Sequence, residues 1–266
     1  MNDTQIDTDA RRVLDALRPR RRRNPRLAAP LREARDQMIE TPFGPVMAWR
    51  LDPWGSSGAA PATLLVHGWE DDNALWGPLI EQLNYAGRPV VALDLPGHGY
   101  SAAEECSIGR SAGAIRAVAE AMGPIDMLVA HSFGCPVATR AMADGLAIDR
   151  AVLIATPIPT ARGNYWPRVK ERMGVTDAVI ERAQTLIVEL ESIFPPFDYP
   201  SLAAGMTAKA LFVHALDDEE CPPENSRIIA DAWPGAELMW VDGLGHRALA
   251  QDTVTLQSVV AFIEQA

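Results

Sequence analysis

The sequence predicts an α/β fold: a mostly parallel, doubly wound sheet of about eight strands, carrying a short helical cap. Three observations lead there. Short apolar runs without polar alternation recur at 63–66, 89–93, 127–130, 151–155, 210–213 and 238–241. A strand covered by helices on both faces needs apolar side chains at every position, which is the condition inside a parallel sheet. Segments with helical apolar spacing lie between these runs, near 74–86, 109–122, 133–145, 224–233 and 248–265. Finally, strands alternating with helices in this way require right-handed crossovers, which bring the carboxyl ends of the strands to one edge. Ligand sites form along that edge.

The bulk composition agrees with a single large globular core. The chain has 266 residues, 48% of them hydrophobic and 22% charged. Three cysteines without metal-ligand spacing argue against a disulfide framework, and the expected compartment is the cytoplasm. No apolar run approaches the ~20 residues of a membrane span. The formal charge of −11 is unevenly spread. Residues 11–35 hold ten arginines against Asp15 and Glu33, a local excess of eight positive charges, so the remainder carries −19. An acidic body disfavours a nucleic-acid partner.

Residues 1–35 read as a basic extension, and 36–266 as the enzyme-like domain. Within the extension, Val13, Leu14 and Leu17 share one helical stripe that Pro19 ends. Arg20 to Arg23 repel one another, so a solvated tail or a partner-binding arm is expected. Residues 38–40 and 46–50 flank Thr41-Pro42-Phe43-Gly44-Pro45, a turn composition, and form a hairpin. The rhythm of strands then breaks between Ala155 and Lys209. Val179, Ile180, Ala183, Leu186, Ile187, Leu190 and Ile193 repeat there at helical spacing, after a cap at Thr176 or Asp177. An insert at the carboxyl edge overhangs the ligand site, so 157–205 is read as a cap, with Trp166 as a pocket candidate.

Ser132 is the candidate nucleophile. The strand 127–130 runs directly into Ala130-His131-Ser132-Phe133-Gly134, and a helix follows. A serine hydroxyl needs an exposed Oγ and an adjacent base. A sharp strand-to-helix turn supplies the exposure, and only small residues fit two positions to either side. Ala130 and Gly134 meet that need, although the usual pattern has glycine at both. Five histidines compete for the role of base. His67, His98 and His131 sit in tight turns, and His214 ends a strand. His246 lies in Gly243-Leu244-Gly245-His246 after the last strand, where glycines let the imidazole reach the turn. Asp217 and Asp218 both follow the penultimate strand and both remain candidates for the acid that orients it.

With these motifs in order, the chain resembles the α/β-hydrolase superfamily over roughly residues 38–264. His67-Gly68-Trp69 is similar to the family's oxyanion turn, and Asp94-Leu95-Pro96-Gly97-His98-Gly99-Tyr100-Ser101 to the loop after the next strand. The resemblance implies Ser132 as nucleophile, His246 as base and Asp218 as acid, in the chain order expected of this fold. It favours Asp218 because that residue precedes Cys221-Pro222 as the family's acid precedes its Val-Pro pair. It also implies an oxyanion hole from the backbone N–H groups of Trp69 and Phe133, whose side chains are then free to line the pocket. No cofactor and no metal are implied. The expected reaction is hydrolysis of a small or medium carboxylic ester. Thioesters, lactones and C–C bonds are alternatives for the same triad, and a non-catalytic binder of small ligands is the rival from another class.

Overall fold

The computed structural model describes residues 2–23, 29–54, 58–159 and 165–265. The first elements are α1 (Asp3–Ala16), β1 (Arg35–Ile39), β2 (Val46–Leu51), β3 (Ala62–Val66), α2 (Gly77–Tyr85), β4 (Val90–Leu93) and α3 (Ile108–Met122). There follow β5 (Ile125–His131), α4 (Gly134–Ala143), β6 (Arg150–Ile154), α5 (Tyr165–Met173), α6 (Asp177–Glu191) and α7 (Tyr199–Ala204). The last are β7 (Lys209–Ala215), α8 (Glu224–Ala232), β8 (Glu237–Val241), α9 (Gly245–Ala248) and α10 (Thr253–Ile263).

These elements form two compact units, 1–19 with 158–197, and 20–157 with 198–266. The boundaries differ from the expected division at residue 35 and the expected cap of 157–205. Residues 20–23 and 29–35 belong with the sheet, and α1 belongs with α5 and α6. Residues 198–205 also join the sheet unit, because Asp198 caps α7 and buries Tyr199 beside Thr139 of α4.

In the larger unit the strand order is β1-β2-β4-β3-β5-β6-β7-β8. β1 and β2 form the predicted hairpin, and β2 runs antiparallel to β4. The pairs from β4 through β8 are parallel. Both faces of the central strands are apolar. Leu65, Ala92, Val129, Val152 and Val213 pack with Trp76, Leu79 and Ile80 near or on α2, and with Leu256, Val259 and Phe262 of α10. The intervening residues Leu64, Leu128, Leu153 and Phe212 are fully buried on the opposite side. Removing one such leucine costs about 2–5 kcal/mol, which is why the run pattern is so strong a signal. β8 is the edge strand opposite β1, and its Trp240 is 40% exposed.

The smaller unit is helical. Ala10 and Val13 of α1 pack with Val179, Ile180, Ala183 and Leu186 of α6 and Val169 of α5. α1 starts earlier than its apolar stripe indicates, because the Asn2 side chain accepts from the Gln5 amide and Asp7 pairs with Arg11. Arg182 of α6 reaches both Asp7 and Glu189 at 2.8 Å. The N-terminal helix is therefore a packed element rather than a solvated tail. Trp166, the expected pocket residue, is half-buried against this apolar cluster. Among the described residues, no helix is long and apolar enough to cross a membrane.

Candidate active site

The parallel strands deliver the candidate residues to one edge. Ser132 follows β5, Asp218 follows β7, and His246 follows β8, while His67 follows β3 and Asp94 follows β4. Ser132 has φ +49°, a left-handed conformation that costs a non-glycine residue about 1–3 kcal/mol. The surroundings hold it there. Its N–H donates to the Ile154 carbonyl and its own carbonyl accepts from Cys135, both at 2.8 Å. A Cβ on Gly134 would stand 2.6 Å from the Val66 carbonyl oxygen, so glycine is required at that position. At position 130 the methyl of alanine is accommodated in full burial.

His246 Nε2 lies 2.9 Å from Ser132 Oγ, and His246 Nδ1 lies 2.7 Å from Asp218 Oδ2. The structure therefore brings Ser132, His246 and Asp218 together as expected. Asp218 is heavily solvated by the protein: Oδ2 also accepts from His214 Nε2 at 3.1 Å, and Oδ1 accepts the amides of Glu220 and Cys221. Burial opposes its ionisation, yet the hydrogen bonds from His214 and His246 hold the carboxyl well below the usual range. Asp217 faces elsewhere. Its carboxylate accepts from the amides of Gly243 and Gly245, and so anchors the loop that carries His246.

The other histidines brace this arrangement. His67 Nε2 accepts from the Leu95 amide at 3.0 Å, so Nδ1 carries the proton and donates to the Gly68 carbonyl. His98 likewise accepts from Glu70 and donates to Pro96. Together they pin the 67–70 turn to the 94–101 loop. Asp94 supports that loop by accepting from Asn73 and Tyr100. His131 turns its ring toward His246 and donates from Nε2 to the His246 carbonyl at 2.9 Å. Its contact to the base spans 115 positions in sequence, so no local pattern announces it. Cys135 is fully buried and burial pushes its thiol up to about 12, which leaves it an inert hydrophobe.

Among the described residues, the backbone N–H groups of Trp69 and Phe133 meet no protein acceptor. Their rings pack edge to face at 5.1 Å. A cavity of about 370 Å³ opens onto Ser132 and His246, lined also by Arg22, Trp69, Glu70, Asp71, Glu220 and Arg247.

Two expected results arise from these contacts. His214 donates to the carboxylate that orients His246, and a hydrogen bond to a charged group is worth about 1.5–3 kcal/mol. His214→Ala is expected to lower kcat about tenfold with little change in KM, and His214→Gln, which keeps a donor near the Nε2 position, is expected to recover most of it. Steady-state kinetics with both variants checks this. Separately, burial depresses His67 to about 4, and His98 and His131 to about 3, from 6.5. These groups stay neutral when folded but gain protons when unfolded below 6.5. Their stabilisation is thus complete above pH 6.5 and is lost as pH falls toward 4, at about 1.4 kcal/mol per pH unit for each. Asp71 and Asp94 are raised, chiefly by burial, so they protonate early in the fold and flatten the fall at its acid end. Melting temperatures measured from pH 7 to pH 4 are expected to drop steeply. A flat profile would show that these histidines are not held neutral.

Comparison with known proteins places this geometry. A family model described as the alpha/beta hydrolase family matches residues 63–256. The chain is similar to the pimeloyl-[acyl-carrier protein] methyl ester esterase of Xylella fastidiosa, 30% identical over 115 residues. That match covers 43% of this chain and 44% of the relative, so it spans less than half of either. In structure the chain is similar to carboxylesterase CesB of Bacillus subtilis, with TM-score 0.67 and 16% identity, covering 97% of this chain and 99% of that one. It is also similar to Est1E of Butyrivibrio proteoclasticus, solved with ferulic acid, with TM-score 0.67 and 18% identity over 85% of this chain and 97% of that one. At these identities the structural likeness shows the fold.

Proposed function

Because the chain belongs to the alpha/beta hydrolase family, we propose that it is a serine hydrolase cleaving a carboxylic ester of small or medium size. The observation that carries this reading is the unbroken line from Ser132 Oγ to His246 Nε2, 2.9 Å, and from His246 Nδ1 to Asp218 Oδ2, 2.7 Å. Both lie within general-base reach.

In the proposed reaction Ser132 Oγ attacks the ester carbonyl while His246 Nε2 takes the hydroxyl proton. Asp218 holds His246 with Nδ1 protonated and stabilises the imidazolium that forms. The negative oxygen of the tetrahedral intermediate is received by the amides of Trp69 and Phe133. Each such donor contributes about 3 kcal/mol. The intermediate collapses, His246 returns the proton to the departing alkoxide, and the alcohol leaves. Water, deprotonated by His246, then attacks the acyl carbonyl; the acyl–Ser132 bond breaks, His246 returns the proton to Ser132 Oγ, and the acid is released. A cavity of about 370 Å³ accommodates a small ester.

Incubation of the native protein with a fluorophosphonate probe, followed by peptide mapping, tests the reading. Labelling at Ser132 together with hydrolysis of short para-nitrophenyl esters is the expected result. A folded protein that neither labels nor hydrolyses would overturn it and favour a ligand-binding role.

A further inference from the structure

The triad makes no use of the arginine run, yet the run does not hang free. Arg21 donates to the carbonyls of Ser101 and Ala103. Arg23 donates to the Gly99 carbonyl at 3.2 Å, and its guanidinium lies 4.4 Å over the Tyr100 ring. The Arg20 amide and the Arg22 guanidinium both meet the Glu70 carboxylate. Residues 20–23 are thus fastened along the 99–103 loop, and Arg22 becomes part of the wall of the cavity above Ser132. This segment precedes the region that the family model matches, 63–256. A second guanidinium, Arg247, enters the same cavity from the residue after His246 and pairs with Asp71.

Both guanidiniums keep hydrogen-bonding capacity on this wall. A guanidinium carries five N–H donors. Arg22 spends one group on Glu70, and Arg247 spends one on Asp71. Among the described residues, the remaining donors of both have no acceptor at hydrogen-bond distance, and Glu220 stands 4.0 Å from Arg247 Nε. The acceptors are used in part. Glu70 takes Arg22 and the Arg20 amide, and Asp71 takes Arg247. Glu220, 60% exposed, and Arg22, 58% exposed, are both screened by water, whereas Arg247 is 42% exposed. What the cavity offers a ligand thus includes two guanidiniums with unspent donors, each held in place by a carboxylate tether, beside the free amides of Trp69 and Phe133. Planar forks of this kind suit a carboxylate.

We propose that Arg22 and Arg247 form an anion subsite, so that the ester cleaved at Ser132 carries a carboxylate remote from the scissile bond. This rests on the esterase reading above. Arg22 is on this view a specificity-determining residue supplied by the N-terminal segment.

Initial rates of the full-length protein on two matched ester pairs test it. Mono-para-nitrophenyl glutarate against para-nitrophenyl pentanoate places the anion on the acyl side. Acetoxybenzoate against acetoxybenzamide places it on the alcohol side. In one pair the anionic member is expected to have a kcat/KM higher by about tenfold or more. Arg22→Ala is expected to shrink that ratio toward one, and Arg22→Lys to keep part of it. Free glutarate is expected to inhibit the native enzyme competitively and the Arg22→Ala variant more weakly. Ser132-dependent hydrolysis without an anionic preference in either pair would overturn the subsite alone, as would a preference that Arg22→Ala leaves unchanged. Failure of all four esters, with no probe labelling at Ser132, would overturn the esterase reading and the subsite with it.

Discussion

Replacing Ser132 with alanine is expected to lower ester hydrolysis by about four orders of magnitude or more, with the fold retained. The change removes one oxygen atom from a position whose backbone is held by Ile154, Cys135 and the close approach of Gly134 to the Val66 carbonyl. None of those contacts involves Oγ, so the elbow keeps its shape and the His246–Asp218 pair stays where it is. What disappears is the hydroxyl that stands 2.9 Å from His246 Nε2. Turnover and circular dichroism on the same preparation check both halves of this expectation. Hydrolysis that persists at the native rate in folded Ser132→Ala protein would place the chemistry elsewhere.

The second large effect distinguishes two neighbouring carboxylates. Asp218→Asn is expected to reduce kcat by about three to four orders of magnitude. The reason is a conflict of donors. Oδ1 of Asp218 accepts the Glu220 and Cys221 amides, so the single carbonyl oxygen of asparagine is drawn to that side. Its NH₂ group then faces the N–H groups of His214 and His246. His246 relieves the clash by moving its proton to Nε2, and in that tautomer it cannot accept the Ser132 proton. Asp217→Asn is expected to cost no more than about threefold, because asparagine still offers an oxygen to the Gly243 and Gly245 amides. Parallel rate measurements on the two variants settle the assignment. A loss in Asp217→Asn as deep as that in Asp218→Asn would remove Asp218 from the role.

Much of this arrangement was legible before any coordinates. The apolar runs at 63–66, 127–130 and 151–155 became β3, β5 and β6 because burial on both faces leaves an unmistakable composition. Ser132 was legible for a local reason: a strand, a small residue, a serine and a glycine before a helix describe one tight turn. His246 was legible from its glycines and its place after the last strand. Asp218 was only half legible, since Asp217 and Asp218 differ by one step along a turn. Which of them faces His246 depends on how the chain leaves β7 beside β8, and the Leu216 amide bonded to Val241 sets that exit.

Other features depended on partners far away in sequence. His131 buttresses the His246 carbonyl across 115 residues, and His214 shares a carboxylate oxygen with His246 across the end of the sheet. The helix at the N-terminus showed its apolar stripe, but not the partner that buries Ala10 and Val13. A run of like charges reads as mutually repelling and solvated, because sequence shows only the neighbours of a charge along the chain. Its true neighbours here are the carbonyls of Gly99, Ser101 and Ala103, the Tyr100 ring and the Glu70 carboxylate, each some fifty to eighty positions away.

The sequence by itself determined the layered sheet, the tight turn at Ser132 and the strand ends after which Ser132, the Asp217-Asp218 pair and His246 stand, since each depends on burial pattern or on backbone geometry within a few residues. Only the tertiary structure decided which carboxylate meets His246, which histidines hold it, and where the arginines go. Those are contacts between strand ends brought to one edge by parallel pairing. Their selectivity lies in distances and hydrogen-bond directions that exist only once the sheet has formed.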